Sequence, residues 1–243
     1  MARIIECVPN CSEGRNKEVI EYIADAVRSV PGVALMDYSS DENHNRSVFT
    51  IVGDPEQMAE AAFRFAKACV EKIDMTKHHG EHPRMGAVDV IPFTPVKDVP
   101  MEECIEISKK VGQRIWEELG MPVTLYEESA TAPHRRNLAA IRKGQFEAMP
   151  EKLKDPQWYP DYGNHEIHPT AGIVAVGARF PLVAFNINLS TSDVEIANKI
   201  AKTIRESSGG MRWVKSIGVG RKKHRSGFYQ YDQLHQDSNL PRL

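Results

Sequence analysis

Short β-branched runs and helix-spaced segments alternate along roughly the first hundred residues in an order that few folds accept. RIIECV (3–8) is apolar, β-branched and bounded by Pro9-Asn10, which predicts a buried strand. In 16–30, Val19, Ile20, Ile23, Ala26, Val27 and Val30 fall on one helix face, and Pro31-Gly32 stops the helix. VALMDY (33–38) and RSVFTIVG (46–53) predict two strands joined by the polar loop SSDENHN. Asp54-Pro55 supplies an N-cap and a proline at the first helical position, opening a helix that runs to about Ile73. AVDVIPFTPV (87–96) predicts a further strand, with Pro92 marking it as edge-like.

That order, βαββαβ, is the split-βαβ or ferredoxin-like arrangement, an α+β sandwich with two helices on one face of an antiparallel sheet. A helix follows from Pro100 to Gly120, then the strand PVTLY (122–126). Residues 127–171 show little periodicity and carry His134, Arg135, Arg136, Trp158, Tyr159, Tyr162, His165 and His168. A stretch of this length without clear elements is functional or a connector. The β signal returns in GIVAVGA and in PLVAFNINL (181–189). Thr191-Ser192-Asp193 then caps a helix whose stripe is Val194, Ala197, Ile200, Ala201 and Ile204. After Gly209-Gly210, MRWVKSIGV (211–219) reads as a strand, so a second βαβ unit begins but does not finish.

With 41% apolar and 26% charged residues the chain is an ordinary globular sequence, and its net charge of −2 gives no reason to expect a nucleic-acid or membrane partner. No apolar run approaches a membrane span, and MARIIECVPN lacks the layout of a signal peptide. Cys7, Cys11, Cys69 and Cys104 are too scattered for a disulfide framework, which fits free thiols in a reducing cytosol.

The densest chemistry lies in HHGEHPRMGAVDV, from His78 to Val90. Histidine titrates near neutrality, which suits it to moving protons. His78, His79 and His82 with Glu81 could instead ligate a metal, but Gly80 and Pro83 argue for a loop, not the rigid helix of an HExxH site, so no metal is expected. A purely structural loop is the third reading. In ECVPNCSEG, Asn10 and the turn amides offer a polar ligand site or simply a turn. The aromatic, His-rich run before Gly172 could line a cleft for a flat ring.

Six segments carry a family resemblance: ECVPNCSEG, NRSVFTIVG, IDMTKHHGEHPRMGAVDVIPFTPV, MEECIEISKKVGQRI, EELGMPVTLY and VAFNINLST. They resemble the formiminotransferase family, found as a domain of formiminotransferase-cyclodeaminase and as free-standing bacterial glutamate formimidoyltransferases. The match is near-continuous from Ile4 to about Val219. The resemblance implies two ferredoxin-like subdomains with a tunnel between them: residues 1–180 as the N-terminal subdomain and 181–219 as part of a C-terminal one. It implies transfer of a formimidoyl group between 5-formimidoyltetrahydrofolate and L-glutamate in histidine breakdown, in a cytoplasmic homodimer. The family's catalytic histidine falls on His82. Its folate-contacting stretch falls on Gly163, Asn164, His165, Glu166, Ile167, His168, Pro169, Thr170, Ala171 and Gly172.

The residues suit that chemistry, because attack by the glutamate amine and departure of folate N5 need one proton taken and one returned. Asp37 or Glu81 is expected to orient His82, and Arg46, Lys77 and Arg84 to meet the glutamate and folate carboxylates. Ser39 stands where the family has an acidic residue, with Asp41 as a substitute. Competing readings are an inactive folate-binding protein of this fold, an enzyme using 5-formyltetrahydrofolate, and a metal hydrolase.

The tail, 220–243, departs from the family and reads as aberrant. With suitable codons, reading one base later from Val219 gives WEEKNIAQVSINMTNYTKTPIYRVF, which resembles the family's next strand and helix. The expectation is a single-base slip that leaves the second subdomain without a strand and a helix and its sheet with an open edge.

Overall fold

The computed structural model describes residues 3–212, 214–220 and 226–233. They form two compact units that divide between Arg179 and Phe180.

In the first unit, strand β1 (Ile4–Cys7) is interrupted at Val8-Pro9 and resumes as β2 (Asn10–Cys11). Helix α1 (Lys17–Arg28) starts where the Asn16 side chain accepts from the Glu18 and Val19 amides. Strands β3 (Val33–Asp41) and β4 (Arg46–Gly53) form a hairpin, and α2 (Pro55–Lys72) begins with the Asp54 cap and a proline in its first turn. Strand β5 (Val88–Lys97) leads into α3 (Met101–Leu119), which ends at Gly120 with φ 64°. After β6 (Val123–Glu127) come two short helices, α4 (Leu138–Arg142) and α5 (Gln145–Lys152), and then β7 (Val174–Ala178).

The sheet runs β3-β4-β1/β2-β5-β7-β6. All pairs through β5 are antiparallel, whereas β5–β7 and β7–β6 are parallel. Two expectations need correction. The loop between the first hairpin strands shrinks to a turn at 42–45, because β3 continues through Ser39, Ser40 and Asp41. The strand around Pro92 is interior, not edge-like, since β5 pairs on both sides. Cys7 pairs with Phe93 and Asn10 with Val90, so the Val8-Pro9 break lies opposite Ile91 and Pro92. A proline without an N–H is tolerated where the neighbouring ladder is already broken.

Alternation along the strands sets the layers. Ile5 and Cys7 of β1, Phe49 and Ile51 of β4, Ile91 and Phe93 of β5, and Val174 and Val176 of β7 join the core built with α1, α2 and α3. Phe49 is wholly buried, stacked on Tyr38 at 5.4 Å and edge-on to Phe65 at 5.1 Å. On the other face, Met85, Val90, Tyr126, Ile173 and Ala175 pack with Ile141, Met149 and Leu153 from the α4–α5 segment. The β5–β7–β6 half is therefore covered on both sides, while Arg46, Val48 and Thr50 of β4 stay only half-buried. The short α4 and α5 escape a reading of periodicity, because Gly144 separates them and Pro150 sits inside α5.

In the second unit, β8 (Leu182–Asn188) precedes α6 (Val194–Ile204), capped by Asp193, and then β9 (Val214–Gly220). Ala197 and Ala201 of α6 are buried, as are Val214 and Ser216 of β9. The residues after Val219, which show no period in sequence, contribute β10 (Ser226–Gln233). It pairs antiparallel with both β8 and β9 and lies between them. The rest of the expected aberrant tail, 221–225 and 234–243, lies outside the described residues.

Removing the Phe49 ring should open a cavity between β4 and α2. Phe49→Ala is expected to lower unfolding free energy by about 3–5 kcal/mol in urea denaturation. A loss under about 1 kcal/mol would contradict the packing described.

Candidate active site

Four chain segments meet at one end of the first sheet's strands: the end of β2, the β3–β4 turn, the 78–87 loop before β5, and a tight hairpin at 168–172. Each junction is a set of specific bonds. The Ser12 amide donates to Ala87 O at 2.9 Å, and its hydroxyl to Gly86 O at 2.7 Å. Asn45, held at φ 48°, accepts from the Gly14 amide at 2.9 Å and donates to His79 O at 3.1 Å. The Glu81 amide donates to Asn43 O at 3.1 Å. At the hairpin, His168 and Gly172 exchange backbone bonds of 2.9 and 3.0 Å, the Met75 amide donates to Thr170 O, and the Ala87 amide to Ala171 O.

Three glycines let these segments approach. A Cβ at Gly80 would stand 2.3 Å from His44 O, one at Gly86 2.4 Å from Ile173 O, and one at Gly172 2.4 Å from Met85 O. Gly172 also needs φ +76°, which a side chain would strain.

His78 is buried with both ring nitrogens engaged: Nε2 lies 2.9 Å from Asn45 O, and Nδ1 lies 3.2 Å from Arg84 Nε. Arg84 can only donate, so Nδ1 accepts and Nε2 carries the proton that goes to Asn45. The ring is neutral, and burial and the Arg84 charge lower its pKa. Arg84 is buried too. It forms a two-bond fork with Glu147 (2.7 and 2.9 Å), donates to Gln145 Oε1 at 2.9 Å, and its carbonyl accepts from the Phe146 amide at 2.8 Å. Gln145 sits at φ 57°. Backbone strain thus occurs on both flanks of the loop, at Asn45 and Gln145, as it does where surrounding structure overdetermines a site.

His82 lies within this frame, 7% exposed. Burial drives its pKa down, with the charges of Arg46 and Arg142 adding to the effect, to about 2. The ring is therefore neutral at any physiological pH. At the end of the same loop, fully buried Asp89 accepts from the Met85 amide at 3.2 Å and pairs with Arg142.

The other expected site residues fall as follows. Arg46, the first residue of β4, sits at the same end of the sheet and is half-buried. Arg84 has its donors taken by Glu147, Gln145 and His78, so it braces the loop. Lys77 is 82% exposed and paired with Asp74 at 2.9 Å. Asp37 and Glu81 are exposed, Asp37 on edge strand β3. Asp41 is tied into the turn through the amides of Asn43 and His44. Of the 163–172 stretch, Ala171 and Gly172 are buried against the His82 loop, Ile167 packs on the second core cluster, and Asn164, His165 and Glu166 are exposed. His165 stacks on Tyr159 with centroids 3.5 Å apart. Asn45, Asp89, Arg142, Gln145 and Glu147 are absent from the sequence reading. Only Asp89 carried a signal, as an acid inside an otherwise apolar run.

Unfolded, His82 takes a proton near pH 6.5; folded, only near 2. Between those values the folded chain binds fewer protons, so stability is full above pH 6.5 and drains away as pH falls. The loss approaches about 1.4 kcal/mol per pH unit for this residue. Denaturation at pH 7 and pH 5 should show His82→Gln losing less stability over that interval than the parent chain; equal slopes would contradict a buried neutral imidazole.

Residues 4–179 match the family described as "Formiminotransferase domain, N-terminal subdomain". The chain is 62% identical over 219 residues to the glutamate formimidoyltransferase of Streptococcus pyogenes serotype M1, covering 90% of this chain and 73% of that one. It is 48% identical over 216 residues to the glutamate formimidoyltransferase of Thermoplasma acidophilum, covering 88% and 71%. To the formimidoyltransferase-cyclodeaminase of Sus scrofa it is 50% identical over 224 residues, spanning 90% of this chain but only 41% of that larger protein. With the family profile matched over most of its length and these identities beside it, the chain belongs to the formiminotransferase family.

Proposed function

We propose that this chain transfers a formimidoyl group between 5-formimidoyltetrahydrofolate and L-glutamate in histidine degradation, with His82 as the general acid and base. Relatives named glutamate formimidoyltransferase support the reaction. The observation that carries the site assignment is the junction of the 168–172 hairpin with the 78–87 loop, where Gly86 and Gly172 bridge. It sets the stretch assigned to folate against the loop that bears the histidine.

The neutral His82 ring takes a proton from the glutamate amine as it attacks the formimidoyl carbon. The tetrahedral intermediate then collapses as the same ring returns a proton to folate N5. In the free site, burial and the nearby guanidinium charges keep the ring unprotonated. An anionic substrate set beside Arg46 and Arg142 offsets those charges and raises the basicity of His82 when substrate is bound. Residues 163–172 bind the folate, and Arg46 is the candidate for a substrate carboxylate. Arg84 and His78 act as positioning residues that hold the loop. The chemistry calls on no metal.

In the same reading, the antiparallel β3-β4-β1/β2-β5 sheet with α1 and α2 is a ferredoxin-like, split-βαβ unit. Residues 1–180 are then the N-terminal subdomain, 181–219 part of a second, and 220–243 an aberrant tail. The protein is proposed to act as a cytoplasmic homodimer.

The test is a transfer assay with tetrahydrofolate and N-formimidoyl-L-glutamate. Turnover by the parent chain is expected, with His82→Ala lowering kcat/KM by roughly 10²–10⁴-fold. Turnover undiminished in the variant would remove His82 from its role, and a folded parent chain with none would overturn the assigned reaction.

A further inference from the structure

Asp89 and Arg142 form an ion pair at the point where α4 meets the loop that carries His82. Asp89 is wholly inaccessible and stands in the apolar run of β5, between Val88 and Val90. A lone carboxylate there would be costly unless paired and hydrogen-bonded. Its partners are the Met85 amide at one oxygen and Arg142 at the other. Met85 lies three residues beyond His82, and the intervening Arg84 is strapped to Gln145, Phe146 and Glu147. The pair therefore fixes the end of α4 against the loop that carries His82. Arg142 is also incompletely used: its Nε–H is buried without a hydrogen-bond partner, and its side chain remains 19% exposed. A buried guanidinium N–H left unpaired calls for an explanation, and a ligand acceptor supplies one.

Resting on the reading above, we propose that Arg142, held in place by Asp89, receives the α-carboxylate of the amino-acid substrate beside His82. The chemistry selects that carboxylate. In an α-amino acid the amine and the carboxylate share one carbon, which puts their heavy atoms roughly 3 Å apart. If His82 takes the amine proton, the α-carboxylate stands next to the same ring. The carboxylates of folate are separated from N5 by the whole aminobenzoyl group. A guanidinium suits the task, because its planar fork matches both oxygens of a carboxylate. Asp89 acts through Arg142 as a positioning residue, and its own charge keeps the empty site from carrying an uncompensated cation. The sensitivity of His82 to the Arg142 charge is consistent with that proximity.

The experiment measures KM for N-formimidoyl-L-glutamate and for tetrahydrofolate separately, in the parent chain and in Arg142→Gln, Arg142→Lys and Asp89→Asn. N-Formimidoyl-4-aminobutanoate, which lacks the α-carboxylate, is run beside the natural substrate. Arg142→Gln is expected to raise KM for N-formimidoyl-L-glutamate by about tenfold to a hundredfold, the loss of one charge-assisted contact. KM for tetrahydrofolate should stay within about twofold. The parent's preference for the α-carboxylate should collapse in Arg142→Gln and return in part in Arg142→Lys. Asp89→Asn should move the same preference in the same direction. A purely structural role would lower thermal stability and kcat on both amino-acid substrates without changing the preference, and that result overturns the proposal. A rise in KM for tetrahydrofolate alone also overturns it, by giving the contact to the folate tail. No turnover in the folded parent chain instead overturns the assigned reaction, and this inference with it.

Discussion

The guanidinium of Arg84 is 4% exposed, and the site is arranged around the need to pair it. A charge that deep is tolerated only if its donors find acceptors. Glu147 and Gln145 supply three from one side, and the Nδ1 and carbonyl of His78 supply two from the other. The consequence reaches past Arg84. His78 must be neutral, its other nitrogen must donate to Asn45, and Asn45 must hold the left-handed conformation that ties it to Gly14 and His79. Hydrogen-bond satisfaction at one cation thus fixes the β3–β4 turn, the 78–87 loop and the start of α5 relative to each other. Glu147 itself is largely in solvent, with its pKa lowered by the bond from Arg84, so the pairing also anchors a surface carboxylate.

That arrangement explains how His82 stays both buried and neutral. An imidazole on a mobile loop would relax toward water and recover its ordinary pKa. Here the backbone on either side is pinned, by Glu81 to Asn43 and by Met85 to Asp89, so the ring stays among Arg46, Arg142 and the loop. A desolvated neutral ring flanked by cations is poised to respond to charge, since whatever anion enters changes its proton affinity most.

Much of this was legible in the sequence, and the limits are physical. Strand and helix order followed from period-2 and period-3.6 patterns, and the caps at Asn16, Asp54 and Asp193 sit at or beside the positions the sequence marks. The histidine loop stood out because glycine and proline punctuation interrupts those patterns, and the structure shows why. Gly80 and Gly86 are close-approach positions that no side chain could occupy. Pro92 misled for the opposite reason: it signals a missing ladder bond but not whether the gap lies at an edge or opposite another break. Asn45, Gln145, Glu147 and Arg142 left no local trace. Their roles arise from contacts 31 to 63 residues distant along the chain, which neither propensity nor spacing encodes.

The sheet divides its labour accordingly. On the α1–α2–α3 side the alternating positions are apolar except at the site end, where buried Ser47 shares the face of Phe49 and Ile51 on β4 and bonds to Glu13 O. On the other side the apolar cover of α4 and α5 reaches only over β5, β7 and β6, and it stops where Arg142 meets Asp89. A continuous apolar layer would have buried Arg46, Val48 and Thr50 of β4 as well. With the ion pair at its border, the β4 flank stays half-exposed. The same short helices that sequence periodicity misses therefore close one half of the sheet and, by ending at Arg142 and resuming at Gln145, stop short of β4.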